Sequence, residues 1–284
     1  MALYDVSTTE KKVSPELVAG SRKTNIYRCN SFAEYEALPA AEKAKYDYVA
    51  TPDDIADNAG SHNSIYRGKY LGTSVTADQY AEISAGTFKD LFIGDYWTIG
   101  GVNYRIAAFD YWLHCGDTEC TTHHVVLVPD TNLYTAVMNS SDITTGGYVG
   151  SAMHTSNLAD AKTTINNAFG SAHILNHREL FTNSVTDDKA GGWNWYDSNI
   201  DLMNECMVYG HNAWGSHSGY ETGVDKTQLP LFAIAPEHIA NGAGWWLRSV
   251  ASSTYFAHVD SSGGANHNTA SSVRGVRPAF AIIG

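Results

Sequence analysis

A polar segment near the C-terminal end of the chain, closed at both ends by bulky and basic residues, restricts the fold more than any other feature. Residues 249–274 contain no Lys, Glu, Gln, Met or Trp, although these five types fill 35 of the other 258 positions. Trp-Trp-Leu-Arg (residues 245–248) comes before them, and Gly-Val-Arg-Pro-Ala-Phe (residues 275–280) follows. Large rings anchor a chain in a core, Pro removes backbone freedom, and Arg makes several fixed hydrogen bonds. We therefore expect short strands and long ordered loops whose ends are held in place.

The residues that hold the ends of this segment form a predicted scaffold bracket. They are Trp245, Trp246, Arg248, Arg277, Pro278 and Phe280. The side chains between them are mostly small and polar, which is typical of the adaptable loops of antibody paratopes. A rigid frame under adaptable side chains indicates a recognition surface, and the alternative is a plain Gly- and Ser-rich surface loop.

The rest of the chain predicts an α+β fold with two main helices. Residues 76–86 carry a capping box and a terminal Gly, and apolar residues recur on one face of residues 156–170. Residues 95–112 alternate around a Gly-Gly pair as a hairpin does, and residues 124–129 read as a buried strand that ends at Pro. A further short helix is predicted over residues 199–206. Few helices, short mixed or antiparallel strands and long loops together indicate the α+β class.

The chain is predicted to have two parts. Residues 1–62 contain few large apolar side chains, and Ser31 with Glu34 forms the capping box of a short helix. This segment is expected to gain its order from a neighbour and to serve in attachment or oligomerisation. Residues 63–284 are predicted to form the main domain, with the variable region at 245–280.

Charge and composition exclude several classes of partner. The net charge of −12 disfavours nucleic acid, since phosphate binding requires clustered Lys and Arg. The sequence has no apolar run of about 18 residues and no apolar core of a signal peptide at its start, so no membrane insertion is expected. Four scattered cysteines indicate free thiols made in a reducing cytosol. No motif implies a cofactor.

One short stretch offers a metal-binding alternative. His114, Cys115, Cys120, His123 and His124 all carry zinc-ligating side chains. Their spacing lacks the pair of separated knuckles of usual zinc sites. The competing interpretation places the cysteines on a hairpin loop and packs one histidine at the start of the following strand. A metal-dependent or enzymatic function would rest on this stretch.

Two other clusters have a structural and a functional interpretation. Residues 173–179 include two His, an Arg and a Glu that suggest acid–base chemistry, although a His and an ion pair at a strand end usually satisfy one another. Trp193, Trp195 and Tyr196 could stack on a sugar, but buried aromatics explain most such clusters. Neither cluster identifies a catalytic residue.

Several motifs together resemble a known family. They are WWLRS, YFAHVD and GVRPAFAI, with GTFKDLFIGDYWTIGGVNYRIAAFD, HHVVLVPD, GGYVGSAM, AFGSAHILNHREL, WYDSNIDLMNE and LPLFAIAP earlier in the chain. Over residues 64–284 the chain resembles gut-phage virion proteins whose C-terminal domain is similar to the C-type-lectin-fold variable proteins of diversity-generating retroelements. The resemblance implies a hypervariable receptor-binding protein for host adhesion, for instance in a tail fibre, made in the host bacterial cytoplasm and carried on the tail or capsid surface of the virion.

The resemblance also implies partners and site residues. The ligand would be a bacterial cell-surface protein or glycan, the N-terminal segment would contact other virion proteins, and homo-oligomerisation is left open. In such families adenines in Asn-type codons are randomised, which cannot yield the five residue types missing from 249–274. The implied variable positions are Ala251, Ser252, Tyr255, His258, Asp260, Ser261, Ser262, Gly264, Asn266, Asn268, Thr269, Ser272 and Arg274. Phe256, Val259 and Val276 would be constant core residues.

The sequence departs from two relatives of that fold. It lacks the calcium and sugar signatures of lectins, so neither calcium binding nor carbohydrate specificity is assumed. The formylglycine-generating enzymes need reactive cysteines near the C-terminal end, and here the last cysteine is Cys206. The chain is therefore expected not to be an enzyme. The alternative function is that of a non-diversified structural or decoration protein of the virion.

Overall fold

The computed structural model describes residues 2–5, 26–29, 32–45, 48–51, 56–216 and 227–284, and these form an α+β fold. The strands are β1 (Ala2–Asp5), β2 (Ile26–Arg28), β3 (Tyr48–Thr51), β4 (Tyr70–Gly72), β5 (Tyr96–Ile99), β6 (Val102–Phe109), β7 (Val125–Pro129), β8 (Tyr134–Ala136), β9 (His177–Thr186), β10 (Lys189–Ser198), β11 (Ile200–Leu202), β12 (Trp245–Val250), β13 (Tyr255–Val259), β14 (Ala265–Thr269), β15 (Arg274–Val276) and β16 (Pro278–Ile282). The α-helices are α1 (Phe32–Glu36), α2 (Ala40–Lys43), α3 (Ala59–His62), α4 (Ala77–Ala85), α5 (Ala159–Phe169), α6 (Glu205–Tyr209) and α7 (Pro230–Ile234). The predicted α+β class is confirmed. Across the described ranges, no helix combines the length and the apolar character that a membrane crossing requires.

The N-terminal elements make a small sheet of their own. β3 lies between β1, which is antiparallel to it, and β2, which is parallel. The predicted helix begins at Phe32, while its expected capping residue Ser31 lies outside the described residues. Patterning did not reveal the three short strands. α3 contacts the next part of the chain: His62 is buried and its ring stacks on Phe92 at 4.8 Å. His62, at the end of the predicted N-terminal segment, is therefore packed against the main domain.

A six-stranded sheet forms the centre of the main domain, in the order β11-β16-β7-β6-β5-β4. Every residue of β7 and of β16 is buried, as expected for inner strands with covered faces. The predicted hairpin joins β5 to β6, and Gly100 and Gly101 at its turn have φ of 59° and 82°, which side chains disfavour. The predicted buried strand ends at Pro129 as expected.

The two main helices agree with their sequence signals. Thr76 and Gln79 form a complete capping box at the start of α4, and Gly86 ends the helix with a left-handed φ of 70°. α5 buries Ala161 and Ile165, which lie on the predicted apolar face.

The helix predicted over residues 199–206 is wrong. Ile200 to Leu202 form β11, which pairs with β16, and only then does a new helix begin at Glu205. Asn204 caps that helix, because its side chain accepts a hydrogen bond from the backbone N–H of Met207. Pairing with β16 at the edge of the central sheet stabilises a strand here more than the local sequence favours a helix. The sequence of this segment alone does not reveal that pairing.

The bracketed segment builds most of a second, five-stranded sheet in the order β14-β13-β12-β15-β8. Side chains on β12 and β13 alternate between two apolar clusters. Trp245 and Ala257 enter the cluster shared with the central sheet, whereas Trp246 and Phe256 enter the second cluster. The inner strands of this sheet are therefore covered on both faces. Its edge strands β14 and β8 and its connecting loops reach the surface.

A long two-stranded hairpin, β9 and β10, lies beside this second sheet. Its tip is Asp187–Asp188, and both residues have positive φ, as a tight hairpin turn requires. The hairpin tip contacts the β12–β13 loop, where the Asp188 carboxylate accepts the N–H of Ser253.

Candidate functional site

Both tryptophans of the bracket are buried and hydrogen-bonded. The indole N–H of Trp245 donates to the carbonyl of Ile239 at 3.2 Å, and that of Trp246 donates to the carbonyl of Ala136 at 3.0 Å. Because the two residues are neighbours on a strand, they point to opposite faces and anchor in different clusters. β12 is thus fixed from both sides.

Arg277 is buried and bound by backbone carbonyls. Its guanidinium donates to the carbonyls of Pro129 at 2.7 Å, His238 at 3.0 Å and Ile239 at 3.2 Å. It also lies 4.9 Å from the ring centre of Trp245. Burial lowers the pKa of Arg277 to about 10, so the side chain remains charged at neutral pH. The carbonyls it binds come from the end of β7 and from residues 238 and 239, and Arg277 ties both places to the end of the segment.

Arg248 forms a buried ion pair. It donates to the Glu179 carboxylate at 2.6 Å and to the carbonyl of Leu202 at 3.0 Å, with its guanidinium 4.8 Å from the ring of Phe181. Burial alone would raise the pKa of Glu179, but the charge of Arg248 and a hydrogen bond from His177 lower it to about 2. The pair joins β9 to β12, two strands that belong to different sheets.

A chain of polar groups continues from this ion pair. The Ser198 hydroxyl lies 2.8 Å from both Glu179 and Asp201, and the Tyr148 hydroxyl donates to Asp201 at 2.9 Å. Burial, followed by the charge of Glu179, raises the pKa of Asp201. The two carboxylates thus differ in proton affinity. The network links the hairpin to β11 of the central sheet and, through Arg248, to β12.

The bracket closes at β16. Pro278 is the first residue of that strand, where the missing N–H is tolerated, and it pairs with Leu202. Phe280 packs edge-on against Tyr104 with ring centres 5.8 Å apart. All six bracket residues are buried.

Twelve of the thirteen predicted variable positions keep contact with solvent. The exposed ones are Ser261, Ser262, Gly264 and Asn266, and the half-buried ones are Ala251, Ser252, Tyr255, Asp260, Asn268, Thr269, Ser272 and Arg274. They occupy the β12–β13 connection, the start of β13, the β13–β14 turn, the edge strand β14, the β14–β15 connection and the first residue of β15. The three residues expected to be constant, Phe256, Val259 and Val276, are fully buried.

Strand geometry divides the variable positions between two faces of the sheet. Tyr255 and Thr269 are cross-strand partners on one face, whereas Asn266 and Asn268 project to the other. Because β14 is an edge strand, these positions surround it and do not form one flat patch. The surface that they make is a ridge built of β14 and the loops on either side.

His258 departs from the expectation for a variable surface residue. Its side chain is only 4% exposed and packs edge-on against Trp246 with ring centres 5.9 Å apart. Burial, assisted by the charge of Arg274, lowers the pKa of His258 to about 4. The even positions of β13 face the second apolar cluster, which is why His258 is covered. We leave it out of the ligand-contacting surface.

The variable loops are braced by residues from outside the segment. The Asp188 carboxylate at the hairpin tip accepts hydrogen bonds from the N–H and the hydroxyl of Ser253. Thr144 donates to the carbonyls of Ser252 and Ser253 at 2.7 and 3.0 Å. The β12–β13 loop is therefore held at a defined position although its sequence is that of a flexible loop.

The β14–β15 loop is braced in the same way. The N–H of Ser271 donates to Asp142 at 3.1 Å, and the carbonyl of Ala270 accepts from the N–H groups of Met138 and Asn139. In the β13–β14 turn, Gly263 adopts a φ of 92° that side chains rarely take. Gly263, Ser253 and Ser271 are all within the segment but outside the variable set.

The variable side chains themselves make few bonds to the frame. Within the described part of the chain, the partners of their hydrogen bonds lie in residues 251–274. The exception is the Thr269 hydroxyl, which also interacts with the Asp142 carboxylate. One example is the Ser272 hydroxyl, which lies 3.0 Å from the Asn268 side chain. Apart from Thr269 and the buried His258, the residues that hold the frame and the residues open to change are thus different sets.

The candidate metal ligands do not converge on one point. His114 pairs with Glu119, and the ring of His123 lies 2.8 Å from the Asp110 carboxylate. His124 is buried at the start of β7, as the competing interpretation expected. In the described ranges, no group of three or more His, Cys, Asp or Glu is arranged to hold a metal ion. Cys115 and Cys120 lie on the loop between β6 and β7 and are not joined in a disulfide.

The side chains of residues 173–179 and of residues 193–196 have structural contacts. Glu179 faces inward to Arg248, while its neighbour Arg178 faces outward and bonds to Asp117 at 2.7 Å. His173 stacks on Tyr80 with ring centres 3.9 Å apart. The three aromatic residues of 193–196 are half-buried along β10, so they form neither a buried core nor an open wall.

Sequence reasoning missed three residues that shape this region. Asp142 and Asp188 brace the loops, and Trp214 contacts β14 through a hydrogen bond to Ala265. The turn signal of two consecutive Asp residues could have located the hairpin tip. No local pattern marks Asp142 or Trp214, since their partners lie about 130 and 50 residues away in the chain.

Comparison with known protein families finds a match to one family over part of the chain. Residues 173–283 are similar to a domain of unknown function (DUF6273). The match begins just before β9 and ends within the last residues of the chain, so it includes the hairpin and the whole bracketed segment. Neither curated proteins nor solved structures gave a match.

Proposed function

We propose that this chain is a phage-encoded receptor-binding protein that displays a retroelement-diversified ligand-binding surface on a C-type-lectin fold. The observation that carries the proposal is this separation: apart from His258 and Thr269, the side chains that contact the frame lie outside the variable set. The sequence resemblance and the loop-rich α+β fold with two main helices support the same assignment.

The proposal extends to partners. The ligand is a bacterial cell-surface protein or glycan, and the N-terminal 62 residues attach the domain to other virion proteins. Contacts made by Ser, Asn and Thr are individually weak, so adhesion depends on many copies on one virion acting together. Homo-oligomers would serve the same purpose.

A pair of neighbouring serines gives a sharp test of this separation. Ser253→Ala removes the hydroxyl that bonds to Asp188 and is expected to lower the Tm. Ser252→Ala removes a hydroxyl that contacts only Thr254 and should leave the Tm within error of the wild type. Thermal unfolding followed by circular dichroism measures both. An equal effect of the two changes would show that variable and frame residues are not separate.

A second test compares the stability cost of substitutions at variable positions with the cost of one at a buried core position. Single alanine substitutions at Ser261, Asn266 or Ser272 are expected to change the free energy of unfolding by less than about 0.5 kcal/mol. Phe256→Ala, on the same sheet, is expected to cost about 3–5 kcal/mol, because it empties a fully buried ring site. Urea titration supplies both values, and costs above about 2 kcal/mol at the variable positions would contradict a diversifiable surface.

A further inference from the structure

One tryptophan is held at the surface by a dedicated internal support. Trp214 is 45% exposed, whereas Glu205, which holds it, is completely buried. The Glu205 carboxylate accepts the backbone N–H of Trp214 at 2.9 Å and that of Gly215 at 2.5 Å. A buried carboxylate that binds consecutive N–H groups fixes a loop firmly. The exposed indole is therefore rigidly placed.

The indole lies against the variable ridge. Its N–H donates to the carbonyl of Ala265 on β14 at 3.0 Å, and its ring centre is 4.2 Å from that of His267. The His267 ring is in turn 5.0 Å from Tyr255 in an edge-on arrangement. We call Trp214, Tyr255 and His267 the aromatic shelf. Two of its rings lie within the bracketed segment and the third comes from outside it.

Small hydrogen-bonding groups lie beside the shelf. Thr269 is the cross-strand partner of Tyr255 and lies on the same face of the sheet. Its hydroxyl is 2.9 Å from that of Ser272, which also contacts Asn268. An apolar ring surface beside short hydroxyl groups is the arrangement that suits a ligand with one apolar face and a polar rim.

We infer that the aromatic shelf binds a ring of a neutral sugar, with the indole of Trp214 against its C–H face and the Thr269 and Ser272 hydroxyls at its edge. This inference rests on the proposed function and selects a glycan over a protein as the ligand. A pyranose has an apolar C–H face and a rim of hydroxyls, which matches the shelf and its neighbours. The net charge of −12 disfavours acidic sugars.

The size of the shelf also favours a sugar. A specific protein interface buries roughly 800 Å² on each partner and has an apolar core that excludes water. The shelf offers one exposed indole and two half-buried rings among polar side chains. It is large enough for one sugar ring and small for a protein core. Because Trp214 is outside the variable set, it would supply the same stacking contact to every variant.

The test is binding of the full-length chain to an array of neutral and acidic oligosaccharides, followed by titration of the best neutral glycan. Trp214→Ala is expected to weaken that binding at least tenfold, and Trp214→Phe, which keeps a stacking ring, should restore part of it. Trp195→Ala, a half-buried tryptophan on β10, is the matched control and should leave affinity unchanged. Circular dichroism verifies that each variant is folded.

Two results would overturn the inference. One is that no neutral glycan binds, and the other is that binding survives Trp214→Ala in a folded protein. Failure of the proposed function is a separate result, since it appears as absence of natural variation at the variable positions, whatever the array shows. A sugar that binds through the shelf of a non-varying protein would support the inference alone.

Discussion

Arg248→Met is expected to lower the free energy of unfolding by about 3–5 kcal/mol, because it leaves the Glu179 carboxylate buried without its cation. The ion pair is 2.6 Å long, and both side chains are about 95% buried, so water cannot replace the lost partner. Chemical denaturation monitored by tryptophan fluorescence measures the change.

Arg178→Met is the control for this substitution. Arg178 is adjacent to Glu179 in sequence, but it pairs with Asp117 and Asp197 at the surface, where solvent screens the interaction. Its denaturation midpoint should stay close to that of the wild type. If Arg248→Met were equally mild, the buried ion pair would not be the link between the hairpin and the second sheet.

Acidification is expected to destabilise the protein between pH 6.5 and pH 4 through His124. This histidine is neutral in the fold: its Nδ1 lies 2.8 Å from the carbonyl of Thr122, and its Nε2 accepts the N–H of Trp112 at 3.0 Å. Burial lowers its pKa from 6.5 to about 4. The unfolded chain therefore takes up a proton as the pH falls below 6.5, while the folded chain does not.

The sign and size of this effect follow from proton linkage. The contribution of His124 to stability is complete above pH 6.5 and is lost progressively down to pH 4, for a total of about 3 kcal/mol. In His124→Gln, the fall in stability over this pH range should be smaller by that amount. His114→Gln, at an exposed position on the same loop, should leave the fall unchanged. Urea titrations at several pH values provide the measurement, and identical pH profiles for wild type and His124→Gln would contradict a neutral buried imidazole.

Those parts of the fold that depend on local signals were predictable from sequence. α4 carries its own capping box and its terminal Gly86, and the β5–β6 hairpin carries its Gly-Gly turn. The bracket was predictable because Trp and Arg at the ends of a polar segment require buried partners. These residues gave the right expectation without any knowledge of what they contact.

Features that depend on distant pairing were not predictable. β11 is a strand only because β16 lies beside it, about 80 residues later in the chain. The partner of Arg248 is 69 residues away, and nothing in its surroundings distinguishes Glu179 from a surface Glu. The burial of His258 depends on which face of β13 is covered, and that in turn follows from the second apolar cluster.

The candidate site shows the same division. The variable positions were predicted from the resemblance, whereas the side chains that brace their loops, Asp142 and Asp188, were not predicted. Trp214 was missed because its role comes from contacts with Glu205 and β14, neither of which leaves a mark on the local sequence.

The central claim, that a fixed frame carries a diversified surface, is tested most directly by deep sequencing in the population from which this chain comes. The codons for residues 245–280 are compared with those for residues 86–130 as an internal control. The account predicts substitutions concentrated at the twelve solvent-contacting variable positions, with the six bracket residues, Ser253, Gly263 and Ser271 unchanged. An equal, low rate of substitution in both windows would contradict it and leave a non-diversified structural protein of the virion as the better description.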